Sequence, residues 1–259
     1  MKVASIQFAS TPNAPEANRQ TAAALINEAA DKGASLVVLP ELWPTGLAAR
    51  KAITQAESMR DTTVTLLRQL AKLRKVYIVG GSFAEKKDGR LYNTVVAVDE
   101  RGEITAKYRK THLYPQEEEE VFTQGDEWVS AECAGIRLGV ISGQDIYFPE
   151  FARNLALRGA QLLVAPLLLK ENIEEVHLLA RARALENSCF VIVANQARDM
   201  AAGRSIIISP GGAILAEAKT KDTILMAELD THNLVYLRQK RNYLNQRRNI
   251  LDEIDNSQL

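Results

Sequence analysis

An α/β layered fold is what this sequence predicts. Short, continuous apolar runs recur along the chain, and stretches with helical apolar spacing alternate with them. Neither a linker nor a low-complexity segment nor a break in composition interrupts the 259 residues, which suggests a single domain over 1–259.

The elements follow in order. Val3 to Phe8 alternates apolar and polar residues, a strand signal. Asn18 to Lys32 carries Ala22, Leu25, Ile26 and Ala29 at helical spacing, and Gly33 sits where a helix C-terminal glycine belongs. Ser35 to Leu39 (SLVVL) is the run of a strand covered on both faces, and it ends at Pro40-Glu41. Thr63 to Arg74 is an amphipathic helix, and Val76 to Val79 a strand that opens into Gly80-Gly81. Leu91 to Val98 and Ile104 to Tyr108 flank Asp99 to Gly102 as a hairpin. Cys133 stands at the start of a strand, and Ile136 to Ser142 is the next buried one. Glu150 to Arg158 is a helix stopped at Gly159, and Leu162 to Ala165 a strand before Pro166. Then come a helix over Glu174 to Glu186, strands over Phe190 to Ala194 and Ser205 to Ser209, and a tight turn at Pro210-Gly211-Gly212 into Ile214 to Ala216. Thr223 to Glu228 is the last strand, and the polar, Arg-rich tail from Asn233 to Ile254 reads as helical.

Composition excludes some classes. Hydrophobic residues make up 46%, ample for a sizeable core. Lys+Arg and Asp+Glu are 32 each, so there is no basic excess for nucleic acid or an anionic membrane. No apolar run reaches bilayer-spanning length, and the opening MKVASIQFA is too short for a signal-peptide core. Two cysteines, Cys133 and Cys189, make no disulfide framework, so a reducing, cytoplasmic setting is expected. No His/Cys cluster has metal-ligand spacing.

Three segments carry chemistry. Glu41 ends a buried strand, where α/β proteins bind ligands and where partial burial would make a carboxylate a useful base. Alone, it reads equally well as a surface loop glutamate. Lys110, in YRKTHL just past a strand, could donate to a developing oxyanion, although loop lysines are usually solvated. His112 beside it is better read as a structural hydrogen-bonding residue, and QEEEE over 116–120 as a solvated acidic loop. The third segment, LGVISGQDIYFPE over 138–150, is a strand running into a turn, a place where hydrolases put a nucleophile. The candidate position there is Gly143, which has no side chain.

Together these segments resemble the nitrilase, or carbon–nitrogen hydrolase, superfamily. The resemblance runs through VVLPELWPTG, KYRKTHL and GVISGQDIYFPE. It is echoed in LYNTVVAVDERG, LALRGAQLLVAP, RARALENSCFVIVANQ, SIIISPGGAILAE and Arg247-Arg248. It implies a four-layer α-β-β-α sandwich, no metal and no organic cofactor, and a small amide-like molecule as ligand. It also implies a homodimer formed through the helix near Phe148 to Arg158 and the C-terminal tail. Glu41 would be the general base, Lys110 the residue that stabilises the tetrahedral intermediate, and Glu118 a second glutamate that positions substrate and lysine. The cysteine nucleophile falls on Gly143, and its usual aromatic neighbour on Gln144. Gln144 and Leu167 are the expected substrate contacts, with Leu167-Leu168-Leu169 as an apolar wall.

The glycine divides the functional readings. Ser142 should point away from a pocket faced by residue 143, because successive strand side chains alternate. Buried structural thiols are common, so neither cysteine is the expected nucleophile. The glycine should leave extra volume beside a glutamate–lysine pair. The chain is then an amidase-type hydrolase impaired by the loss, a non-catalytic ligand-binding or assembly protein on the same frame, or a paralogue that pairs with an active partner.

Overall fold

The computed structural model describes residues 1–46, 53–116, 118–169, 172–197 and 203–247. The elements in chain order are β1 (Lys2–Gln7), α1 (Pro15–Asp31), β2 (Leu36–Val38), α2 (Thr62–Arg74), β3 (Tyr77–Lys87), β4 (Arg90–Val98), β5 (Ile104–Arg109), β6 (Ser130–Cys133), β7 (Ile136–Val140), α3 (Pro149–Leu157), β8 (Leu162–Leu167), α4 (Ile173–Asn187), β9 (Phe190–Asn195), β10 (Ile206–Ile208), β11 (Ile214–Glu217), β12 (Thr223–Glu228) and α5 (Thr231–Arg241). A short 3-10 turn covers Ile53–Gln55, and another, Gly143–Tyr147, links β7 to α3.

The strands form two six-stranded sheets with matching plans. One runs β12-β1-β2-β3-β4-β5 and the other β11-β10-β9-β8-β7-β6. In each, three neighbouring strands are parallel (β1, β2, β3 and β7, β8, β9) and the outer ones antiparallel. Helices α1 and α2 cover the first sheet, and α3 and α4 the second; the inner faces of the sheets pack on each other. This is the α-β-β-α sandwich that the resemblance implied.

The pleat explains the sequence alternation. In β1, Ala4 and Ile6 face α1 and α2, in one cluster with Ile26, Val64 and Leu67. Val3 faces the second sheet, in a larger cluster with Leu36, Val38, Val164 and Val193. The polar members Ser5 and Gln7 are fully buried between the sheets, not solvated. Ser5 Oγ donates to the Val193 carbonyl (3.0 Å), and Gln7 Oε1 accepts from the Ser205 amide (2.9 Å). Buried polar groups must be paired, and these pairs fasten one sheet to the other.

Several expected boundaries differ. Strand β3 does not stop at Gly80-Gly81 but continues to Lys87, and its pairing with β4 shifts register between Val79 and Ser82. The glycines form a bulge within the strand. The hairpin turn between β3 and β4 is Asp88-Gly89, a dipeptide that favours tight turns. Cys133 ends β6 rather than starting a strand, because β6 is a four-residue edge strand on the near side of the Ala134-Gly135 turn. In the tail, α5 stops at Arg241; Arg248 and the rest of the expected helix to Ile254 lie outside the described residues.

Candidate active site

Three strand ends meet. Glu41 follows β2, Lys110 follows β5, and Gly143 begins the turn after β7. The loop carrying Glu41 is fastened to the β3 bulge. Ser82 N–H donates to the Pro40 carbonyl (3.2 Å), Ser82 Oγ accepts from Leu42 N–H (2.9 Å), and Trp43 Nε1 donates to the Gly80 carbonyl (2.7 Å). Gly81 is required for this approach: its φ is +60°, and a Cβ there would collide with the Pro40 carbonyl oxygen. The same loop is pinned to the second sheet. Glu41 N–H donates to the Leu167 carbonyl (3.2 Å), and Gln196 Nε2 donates to the Glu41 carbonyl (2.7 Å).

Glu41, Lys110 and Glu118 form a buried triad, with exposures of 2%, 1% and 5%. Lys110 Nζ donates to Glu41 Oε1 (2.8 Å) and to Glu118 Oε2 (2.6 Å). Leu168 N–H donates to Glu41 Oε2 (3.1 Å), and Tyr114 N–H to Glu118 Oε2 (2.9 Å). The ring of Tyr114 lies 4.7 Å from the ammonium. Asn93, on β4, donates from Nδ2 to both glutamates. Burial pushes the Glu41 carboxyl above its ordinary value; the Lys110 charge opposes this, and the Glu118 charge adds to it. Burial disfavours the Lys110 ammonium, but Glu41 and Glu118 outweigh it and hold its pKa above the usual lysine value.

Gly143 faces this triad. A Cβ built on it would fall onto Lys110 Nζ, 2.7 Å from Lys110 Cε and 2.9 Å from Glu41 Oε1. The expected extra volume beside the pair is therefore absent. A lysine carries its charge on a flexible four-carbon stem, and the ammonium stands where the missing side chain would begin. The backbone keeps the form of a tight turn, with φ +52° at Gly143.

Asp145 builds that turn. Its Oδ2 accepts from Ser142 N–H (2.8 Å) and Tyr108 Oη (2.5 Å); its Oδ1 accepts from His112 N–H (3.1 Å) and pairs with His112 Nδ1 (2.8 Å). His112 also stacks on Phe148 at 3.6 Å, so it is tied into the scaffold as the sequence suggested. Ser142 Oγ donates to the Pro166 carbonyl (3.4 Å) rather than to Glu41. Burial pushes the Cys133 thiol up to about 12 and Cys189 to about 11, and both residues are buried in the large core cluster.

The other expected residues fall unevenly. Glu118 lies buried within its acidic stretch, whereas Glu119 and Glu120 are exposed; Glu117 lies outside the described residues. Gln144 is half-buried beside Gly143. Leu167 is fully buried in the large core cluster and brings its carbonyl to Glu41. Leu168 is the half-buried leucine whose amide reaches the carboxylate. Sequence reasoning missed Asn93, whose signal was one amide side chain in the apolar run Leu91 to Val98.

Residues 2–239 match the carbon-nitrogen hydrolase family. The chain belongs to that family. Among curated family members, the omega-amidase NIT2-A of Xenopus laevis is 35% identical over 269 residues, covering 98% of this chain and 97% of that protein. Saccharomyces cerevisiae Nit3, from branch 10 of the nitrilase superfamily, superposes with a TM-score of 0.89 at 32% identity over 96% of each chain. A form of the amidase from Nesterenkonia sp. AN1 superposes at 0.87 and 28% identity, covering 97% of this chain and 98% of that one; it carries acrylamide added to its active-site cysteine. No described helix is long and apolar enough to cross a membrane.

Proposed function

We propose that this protein keeps the amide-binding frame of an amidase-type carbon–nitrogen hydrolase and, with glycine at 143, is severely impaired in hydrolysis. The ligand class is small linear amides or related C–N compounds, in line with the amidases that the chain is similar to. In the reaction the resemblance implies, a thiolate attacks the amide carbon, Glu41 takes the thiol proton, ammonia leaves, and Glu41 then activates water on the thioester. Lys110 and a turn amide would hold the oxyanion. The observation that carries the impairment is the direction of the missing Cβ: position 143 points at Glu41 and Lys110 and supplies no attacking atom. Without a nucleophile, such sites retain only roughly 10³–10⁴-fold acceleration over water.

A second reading, a non-catalytic ligand-binding or assembly protein, draws on the lysine. An ammonium seated in the nucleophile's place closes the triad on itself. Self-association as a dimer is part of either reading, supported by exposed Phe148 and Leu157 at the two ends of α3, with Trp128 nearby.

The test is ammonia release from a panel of ω-amides, N-carbamoyl compounds and short nitriles, by the natural chain and by Gly143→Cys. Expected are no turnover above background for the first and a thioester adduct, seen by mass spectrometry, for the second. Ordinary enzymatic rates from the natural chain would overturn the impairment. Failure of both proteins to bind any amide would favour the assembly reading.

A further inference from the structure

Asn93 sits in an apolar strand, is 1% exposed, and touches all three members of the triad. Its backbone carbonyl accepts the Lys110 N–H (2.9 Å). Its Nδ2 donates to Glu41 Oε1 (2.8 Å) and Glu118 Oε1 (3.1 Å). The amide must face this way: turned over, its oxygen would meet two carboxylate oxygens, acceptor against acceptor. Lys110 bridges the same glutamates through Glu41 Oε1 and Glu118 Oε2. The result is a closed hydrogen-bonded ring of two acids, one ammonium and one amide. Asn93 Oδ1 is buried without a partner among the described residues. An apolar side chain would avoid that costly orphaned acceptor, so an asparagine here is explained by what its nitrogen holds.

We infer that Asn93 is a positioning residue of this site, a neutral clamp that fixes the Glu41 carboxylate against Glu118 and leaves Lys110 between them. The inference rests on the proposed reading of Glu41, Lys110 and Glu118 as the working site. A charged clamp would alter the balance of the triad; the neutral amide orients Glu41 while leaving one ammonium facing two carboxylates.

The test is nuclear magnetic resonance on the natural chain and on Asn93→Leu and Asn93→Ser. Glutamate carboxyl carbons are labelled with ¹³C, and Glu41 is assigned by the signal lost in Glu41→Gln. In the natural chain, the Asn93 side-chain amide signals should shift with the same pH midpoint as the Glu41 carboxyl. In either folded variant, the Glu41 midpoint should rise by about half a pH unit or more, because a donor to its ionised form is gone. An Asn93 amide indifferent to Glu41 titration overturns the inference, and so does an unchanged Glu41 midpoint in a folded variant. If both variants misfold, the amide signals of the natural chain decide alone. Because neither readout needs turnover, a protein that hydrolyses nothing would refute neither Asn93 nor its ring. Conversely, amidase activity with an indifferent Asn93 would sink this inference alone.

Discussion

The two sheets contribute unequal halves to the site. The first supplies Glu41, Asn93, Lys110 and Glu118, a set in which both carboxylates and the ammonium are hydrogen-bonded. The second supplies a turn whose pocket-facing residue is bare, yet which the Asp145 carboxylate closes through Ser142 N–H and anchors to Tyr108 and His112. The shape of that turn is therefore encoded by residue 145 and its donors, independently of what residue 143 carries. Frame and chemistry are separable in this chain.

The sharpest way to break the comparison is in the charged half. Lys110→Met leaves Glu41 and Glu118 buried and facing each other with no cation. Loss of about 3–5 kcal/mol at pH 7 is expected in urea unfolding. The deficit should shrink as pH falls through the raised Glu41 value toward the ordinary 4.5, since protonation removes the repulsion. At the alkaline end the sign reverses. The Lys110 pKa is raised on folding, so its stabilisation is fully present below the ordinary 10.5 and fades as pH rises through the folded value. That alkaline loss should be missing from Lys110→Met.

Next comes the half that supplies the turn. Asp145→Asn replaces one accepting oxygen with a donor, so that the buried Tyr108 hydroxyl and Ser142 amide, or the two His112 donors, lose their acceptor. A loss of about 2–3 kcal/mol is expected, read as a lower urea midpoint at unchanged slope. If Asp145→Asn costs nothing, the turn is not built as described.

Smaller still is Gly143→Ala. Its φ of +52° strains any L side chain, and the new methyl must displace the Lys110 ammonium. About 1–2 kcal/mol of destabilisation is expected by thermal unfolding. A neutral result would mean that the triad yields freely. The smallest effect is on the thiols: Cys133 and Cys189 should resist iodoacetamide at pH 8 in the folded protein and react only after denaturation, as mass spectrometry would show.

Legibility in the sequence followed the physics of each residue. Glu41 and Lys110 stand just past strands, which alone left a solvated loop residue as good a reading, and the family resemblance decided for them; Gly143 was readable because the strand-to-turn pattern around it is intact. Glu118 was readable only through the family resemblance, since nothing in QEEEE itself says which acid is buried. Asn93 was not readable, since a lone amide in an apolar strand has no periodic signature. The fold class was legible from alternating runs, but β3 was cut short because glycines that end most strands here make a bulge that seats Pro40. The expected void failed for a different reason. Sequence reasoning subtracts a side chain and leaves its neighbours in place, whereas a long lysine stem follows the space.

Glu41 has a second occupation. Its backbone N–H donates to the Leu167 carbonyl at the end of β8 in the second sheet, its carbonyl takes the Gln196 side-chain amide, and its carboxylate takes the Leu168 N–H. It is a rivet through both layers. Any residue at 41 would keep the two backbone pairs, but only an acid also takes the Leu168 N–H, so Glu41 serves the seam as well as the triad.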